Sequence, residues 1–266
     1  MYFTDFIIQE LYSLINLNNL LNTTKYLEEY KKCFSYWKFN DFYSLKYYED
    51  EEFHKYINQY IPNTNSQLYI KIRNKILKNV NILGNVHTLD LERTHITDEG
   101  VKYLGKVHTL NLSGCNKITD EGVKYLGKVH ILNISHCDFI TDEGVKFLGN
   151  CHTLNVCGLD ITEKSIKYLS NCDTLHLGRC GKLPNGMYAL FRGFGVNYYP
   201  ECTTINDNDL KYISTCATIH LRGCSNITNI GISHLGNIET LKLYDCKKLI
   251  IEGFVGTERC QSHNII

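Results

Sequence analysis

The sequence predicts an α/β solenoid, one short parallel strand and one short return helix in each of a series of near-identical units. Three observations predict it. The phrase KVHTLNLSGCNKITDEGVKYLGK, from Lys106 to Lys128, is followed at once by VHILNISHCDFITDEGVKFLGN, with Leu-x-Leu, a cysteine and Ile-Thr-Asp in register. Dated from the apolar residue before the Leu-x-Leu, units open at Val86, Val107, Val129, Cys151, Cys172, Cys216 and Ile238, at steps of 21, 22, 22, 21, 44 and 22 residues. Within each unit a strand-like alternation gives way to a helix-start pattern.

A period in this range, with one strand and one return segment per unit, is that of leucine-rich repeats, whose units bury their apolar sides only by stacking. In Val107-His-Thr-Leu110-Asn-Leu112 the apolar residues face one interior, while Thr109, Asn111 and Ser113 alternate outward. Cys115 and Ile118 follow the turn inward. Thr119-Asp-Glu-Gly reads as a helix start, with Thr as cap and two acids where the helix dipole favours negative charge. Val123 and Leu126 form the buried face, Lys124 and Lys128 sit toward the cation-favouring end, and Gly127 is placed to stop the helix.

Worn copies extend the array. Leu68-x-Ile70 stands 21 residues before Leu89-x-Leu91, so a degenerate unit opens near Asn65. The long step reads as two periods, the hidden unit being carried by Cys202-x-x-Ile205 and INDNDLKYIST, with its strand blurred in GFGVNYYP. This gives about nine units in a solenoid over 65–266, closed by a short cap in GTERCQSHNII.

Formal net charge is zero and the isoelectric point is near 7.1, which gives no electrostatic case for nucleic acid or an anionic membrane as main partner. The first residues lack a basic n-region and any run of 18 apolar residues, so neither a signal peptide nor a span is expected, and the chain is expected in the cytoplasm or nucleus. The 12 cysteines follow the repeat. Cys115, Cys137, Cys180, Cys202, Cys224 and Cys246 fall just after the strand, and Cys151, Cys172 and Cys216 replace the opening apolar residue. Neighbouring rungs at ~4.8 Å lie within disulfide reach, but with no export signal the thiols are expected to stay reduced and to act as small apolar residues. His87, His108, His130 and His152 repeat in the same way, at a position expected to meet solvent. Parallel ladders do not offer the converging ligands that zinc requires, so no metal site is expected. GxxxxGK[ST], GxGxxG, GxSxG and HExxH are all absent; no catalytic residue and no cofactor is expected.

A solenoid of this kind works by the outward residues of its strands, expected to line a concave face. Asn111, Asn133 and Asn155 stack in one column there, and Ser113 and Ser135 in the next. In the C-terminal units His176, Arg179, His220, Arg222, Lys242 and Tyr244 take over, a basic and partly aromatic patch suited to an acidic segment of a target protein. The alternative for these residues is simple drift on a solvated face. Phe191, Phe194, Tyr198 and Tyr199 form a second aromatic cluster, either a binding anchor or rings filling the place of missing leucines.

Residues 1–40 are not a repeat. Phe3, Phe6, Ile7, Leu11, Leu14, Ile15, Leu20, Leu21, Leu27 and Tyr30 stand near helical spacing with a break at NLNN, and their surplus apolar surface implies a partner. The stretch from Trp37 to Tyr60 is dense in aromatics with a central acidic run and predicts one or two helices, with 41–64 as the helical connector.

FTDFIIQELYSLINLNNLLNTTKYLEEYKK resembles an F-box, with Phe3-Thr4-Asp5 in the place of Leu-Pro-x-Glu, Ile7, Ile8 and Leu11 as the following helix, Leu17-x-x-Leu20-Leu21 at its centre and Tyr30 where a Trp commonly sits. The repeats resemble the cysteine-containing subtype of leucine-rich repeat in F-box/LRR proteins, in a style similar to that of large amoebal DNA viruses. The resemblance implies a substrate receptor of a cullin-RING (SCF-type) ubiquitin ligase. Phe3, Ile7, Ile8, Leu11, Leu17, Leu20, Leu21 and Tyr30 would grip a Skp-type adaptor, and the concave face would hold the target. Two rivals stay open: an interaction scaffold or decoy with no ubiquitin role, and an enzyme or metal protein using the cysteine and histidine ladders.

Overall fold

The computed structural model describes residues 36–38, 41–60, 67–73, 75, 77, 79–159, 161–178, 202–236 and 238–249. Its strands are β1 (Tyr36–Lys38), β2 (Gln67–Lys71), β3 (Thr88–Asp90), β4 (Thr109–Asn111), β5 (Ile131–Asn133), β6 (Thr153–Asn155), β7 (Thr174–Gly178), β8 (Cys202–Asn206), β9 (Thr218–Arg222), β10 (Cys224–Asn226) and β11 (Thr240–Tyr244). Nine of them make one parallel sheet in the order β1-β2-β3-β4-β5-β6-β7-β9-β11, and β8 pairs with β10 in a second, two-stranded sheet. The register stacks like on like: Leu89, Leu110, Leu132, Leu154, Leu175, Ile219 and Leu241 are successive partners, and all are buried. Leu91, Leu112, Ile134, Val156, Leu177 and Leu221, two residues on and so on the same face, make a parallel buried column. Each such side chain contributes about 1.5–3 kcal/mol by leaving water.

The returns are single turns: α3 (Asp98–Val101), α4 (Asp120–Val123), α5 (Asp142–Val145), α6 (Glu163–Ile166) and α7 (Asn229–Ser233). Helices this short do not persist alone. Four of the five caps make the bond the sequence predicts, the hydroxyls of Thr119, Thr141, Thr162 and Thr228 accepting from the backbone N–H two residues on, whereas Thr97 at α3 makes no such bond. The aspartate after the cap does more than face a dipole. Asp98 accepts from the Thr119 N–H at 2.8 Å and its hydroxyl at 2.7 Å, and Asp120 does the same for Thr141, Asp142 for Thr162 and Asp207 for Thr228. In these four units an aspartate thus clamps the cap of a later one.

Gly127 does not act as a helix stop. A Cβ there would lie 2.5 Å from the backbone carbonyl oxygen of Phe147 in the following unit, so the residue is glycine because two returns approach closely.

At the N-terminal end, α1 (Asp41–Glu49) and α2 (Glu51–Tyr60) cover the core with Tyr47, Phe53 and Ile57. Asp50 caps α2 by accepting from the Phe53 N–H, and the Ser44 hydroxyl accepts from the Lys71 N–H at 3.1 Å, which ties α1 to β2. Trp37, expected in the helical connector, lies in β1 instead, paired with Leu68.

Two registers differ from the sequence reading. In β2 it is Ile70, not Leu68, that pairs with Leu89, a shift of two residues that keeps the same face inward. At the long step, β7 pairs directly with β9, Thr174 opposite Thr218, so no additional unit places a strand between them. Cys202 stands opposite Cys224, the post-strand cysteine of the next unit. The segment 202–213 is therefore the return half of the unit that β7 opens, and the extra residues are an insertion within one unit. Gly178 marks the departure: its φ is +135°, and a side chain there would strike the Arg222 backbone.

Candidate functional site

The outward residues of the strands form a face with three zones. At the N-terminal end Asp90, almost fully buried, is an acceptor hub, taking bonds from Asn111 Nδ2 at 3.0 Å, Tyr69 Oη at 3.4 Å and Arg73 at 3.3 Å. Arg73 also pairs with Glu92 at 2.6 Å. The acids of this zone are thus occupied.

The middle zone is neutral. Asn133 and Asn155 turn Oδ1 back to the backbone N–H two residues on, at 3.1 Å, a local turn bond typical of asparagine. Their Nδ2 groups have no partner among the described residues. Ser113 and Ser135 hydroxyls bond each other at 2.9 Å.

The third zone holds most of the patch the sequence singled out. Strand register aligns His176, His220 and Lys242 in one column and Gly178, Arg222 and Tyr244 in the next. The His176 and His220 rings meet edge-on with centroids 4.0 Å apart, and the Tyr244 ring lies 6.4 Å from His220. Burial lowers the proton affinity of both imidazoles, and Lys242 lowers it further; His220, which also faces His176, falls to about 4. Both rings are therefore neutral near pH 7, and Arg222 and Lys242 carry the charge. Neither has an ion-pair partner among the described residues. Arg179 lies outside the described residues, and Gly178 takes the place opposite Arg222. Phe3, Ile7, Ile8, Leu11, Leu17, Leu20, Leu21 and Tyr30 also lie outside them, as does the aromatic cluster at Phe191, Phe194, Tyr198 and Tyr199.

The zone can donate hydrogen bonds from a guanidinium, an ammonium, a phenol and two neutral imidazoles. With the Asn133 and Asn155 amides next to it, this is a surface for an extended, acceptor-rich ligand.

The other ladders fall where the sequence put them. His87, His108, His130 and His152 stack at 4.5, 4.6 and 4.5 Å between ring centroids, the first half-buried and the rest exposed. Cys115 and Cys137 are buried and donate to the carbonyls of Leu91 and Leu112 at 3.1 and 3.2 Å. Burial pushes the Cys151 and Cys172 thiols up to about 12. No cluster of three or more metal-ligating side chains occurs among the described residues, and no described helix is long and apolar enough to cross a membrane.

A family model described as Leucine Rich repeat matches residues 85–105, 106–127 and 128–149. Residues 85–149 are leucine-rich repeats, within a solenoid of that fold class. No curated protein matches the chain. Among solved structures, internalin C2 of Listeria monocytogenes is similar at 18% identity over 70% of this chain and 73% of that one, with a TM-score of 0.47. The internalin InlF of the same species is also 18% identical, over 72% of this chain and 50% of its own, with a TM-score of 0.46. TLR13, solved in complex with ssRNA13, is 17% identical over 71% of this chain and 27% of its own, with a TM-score of 0.48. The array thus spans about half of the second of these chains and about a quarter of the third.

Proposed function

We propose that this leucine-rich-repeat protein is a recognition scaffold that grips an acidic, extended segment of a target protein on the C-terminal half of its sheet face. The observation that carries the reading is the distribution of partners along that face. Acids at the N-terminal end are satisfied by Arg73, whereas Arg222, Lys242 and the Asn133 and Asn155 amides have no acceptor among the described residues. Charge-assisted bonds to carboxylates are the strong ones, and their donors stand here on strands that fix their spacing.

The finer reading is that the target is brought to a cullin-RING ubiquitin ligase. Its support is the F-box-like residue pattern of Phe3, Ile7, Ile8, Leu11, Leu17, Leu20, Leu21 and Tyr30, which would bind a Skp-type adaptor. In that case the chain contributes placement rather than a nucleophile: holding a lysine beside a loaded conjugating enzyme is a proximity effect, roughly 7–11 kcal/mol in the best-oriented cases. The α1–α2 hairpin, fastened to β2 through Ser44, would keep the two ends in a fixed relation.

Affinity capture with the full chain and two double variants tests both halves. Arg222→Glu with Lys242→Glu is expected to release the target while keeping the adaptor, and Leu20→Asp with Leu21→Asp the reverse. Targets retained equally by the first variant sink the face assignment. Absence of any adaptor from the wild-type capture sinks the ligase half and leaves the scaffold.

A further inference from the structure

A second surface lies on the return side, away from the sheet face. Tyr103, Tyr125, Phe147, Tyr168 and Tyr212 occupy one position in successive units, one residue before the buried Leu or Ile that ends each return, and they are 49%, 49%, 45%, 46% and 52% exposed. They make a ridge of one ring per unit. Duplication alone would copy a ring, so the diverged units are informative. Where the Asp-Glu-Gly of the other returns is replaced, by GluLysSer at 163–165 and in the AspAsnAspLeu return at 207–210, the Lys-Tyr pairs Lys167-Tyr168 and Lys211-Tyr212 persist; in the last return, with AsnIleGly at 229–231, Ser233-His234 take their place and the ridge ends. The buried leucines explain their own retention; about half of each ring is packed on the array, and stacking gives no role to the other half, which meets water.

We infer that the ridge is a self-association surface that pairs two copies of this chain. Three features select a second copy as occupant. Side chains of this size bury roughly 150–250 Å² each when covered, so five rings about half exposed offer on the order of 500 Å² per copy, and two copies reach the ~1,000 Å² that a specific interface needs. The flanking charge is self-complementary: Glu99, Glu121 and Glu143 are ion-paired with Lys102, Lys124 and Lys146, so a facing copy meets as many of these acids as bases along the first three rungs. Lysine ammoniums also lie over the rings, 5.3 Å from Tyr103, 5.5 Å from Phe147 and 5.1 Å from Tyr168, leaving one edge of each ring for a partner. Finally, a ridge with one ring per repeat stays in register over five rungs only against a surface of the same rise. Another copy has that rise by construction, and a twofold arrangement makes the contact isologous and closed. The sheet face with its basic zone stays free in such a dimer.

Equilibrium sedimentation of the reduced full chain from about 1 to about 100 μM tests this. The wild type is expected to approach twice the 30.7 kDa chain mass. Tyr125→Glu with Phe147→Glu should weaken the association at least about 100-fold, and the milder Tyr125→Ser with Phe147→Ser at least about tenfold, with an unchanged circular dichroism melt marking an intact fold. Arg222→Glu, on the other face, should dimerise like the wild type. A wild-type chain that stays monomeric throughout overturns the inference, as do serine variants that dimerise undiminished or a dimer lost in Arg222→Glu.

Discussion

Replacing Asp120 by alanine separates two explanations of the same residue. As the first residue of α4, an acid there favours the helix dipole, a term of about 0.3–1 kcal/mol. In the fold it also accepts two bonds from Thr141, at 2.8 Å from the N–H and 2.8 Å from the hydroxyl. Bonds to a charged acceptor contribute roughly 1.5–3 kcal/mol each, and both groups are half-buried, so water recovers part of the loss; the expected cost is about 2–4 kcal/mol. For a chain of this size one kcal/mol moves the melting temperature by about 2–4 °C, which puts the shift at roughly 4–16 °C. Asp120→Asn keeps one acceptor oxygen and should fall between. Glu121→Ala is the control, because Glu121 shares the dipole but bonds only the exposed Lys124. A solenoid need not melt in one step, so the local readout is amide exchange at Thr141, expected to quicken in Asp120→Ala. If Asp120→Ala and Glu121→Ala shift the melt equally and Thr141 exchanges at its wild-type rate, the clamp between units is not what holds the returns together.

Three further outcomes are expected. Gly127→Ala should destabilise by about 1–3 kcal/mol in urea titration, because a Cβ 2.5 Å from the Phe147 carbonyl forces two returns apart; an unshifted midpoint would contradict the close approach. His176 and His220 are held below the ordinary imidazole range by burial and by Lys242, with His220 at about 4. Their contribution is fully present above pH 6.5 and is lost as pH falls from there toward 4, since the unfolded chain takes up protons first. Urea midpoints at pH 7.5 and 5 should therefore differ less in His220→Gln than in the wild type. Cys151 and Cys172, pushed up to about 12, are almost wholly protonated at pH 8, so iodoacetamide should leave them unmodified in the native chain and alkylate them after denaturation. Fast native alkylation at either site would show that the ladder opens.

What could be read from the sequence was whatever a repeat states many times. The Leu-x-Leu columns, the threonine caps and the inward cysteines recur in unit after unit, and strand alternation leaves them one face to occupy. What could not be read were choices that preserve the pattern. Sliding β2 by two residues keeps its alternation, so Leu68 and Ile70 compete equally for the place opposite Leu89, and only packing decides. A step of 44 residues is two periods, but an insertion of one period inside a single unit has the same length, and β7 pairs straight with β9. Asp120 satisfied the dipole argument so well that its longer-range role had no separate signature. Of the six residues assigned to the sheet-face patch, five come together on β7, β9 and β11 because they share two outward columns; the sixth, Arg179, follows the turn at Gly178 and lies outside the described residues.

The three kinds of position in this array carry different information about function. Residues repeated and buried, such as Leu110 and Cys115, are accounted for by stacking alone, as is the half-buried Asp120 with its clamp, and partner specificity has no room there. Outward residues that are not repeated through the array, His176, His220, Arg222, Lys242 and Tyr244, take over two columns whose middle rungs are mostly asparagine and serine, and only an asymmetric ligand distinguishes one end of such a face from the other. Residues repeated and exposed are the demanding class, because stacking does not need them and an asymmetric ligand has no use for seven equivalent rungs. The histidine column fades at Asp173, Ala217 and Glu239, as an unneeded copy should. The ring position holds through Tyr168 and Tyr212, where the Asp-Glu-Gly before it is lost, and gives way to His234 in the last return; a feature of that kind matches an equally periodic partner. On the two proposals made above the faces divide the work: the strand side would discriminate among targets, and the return side would multiply whatever the strand side binds by presenting it twice.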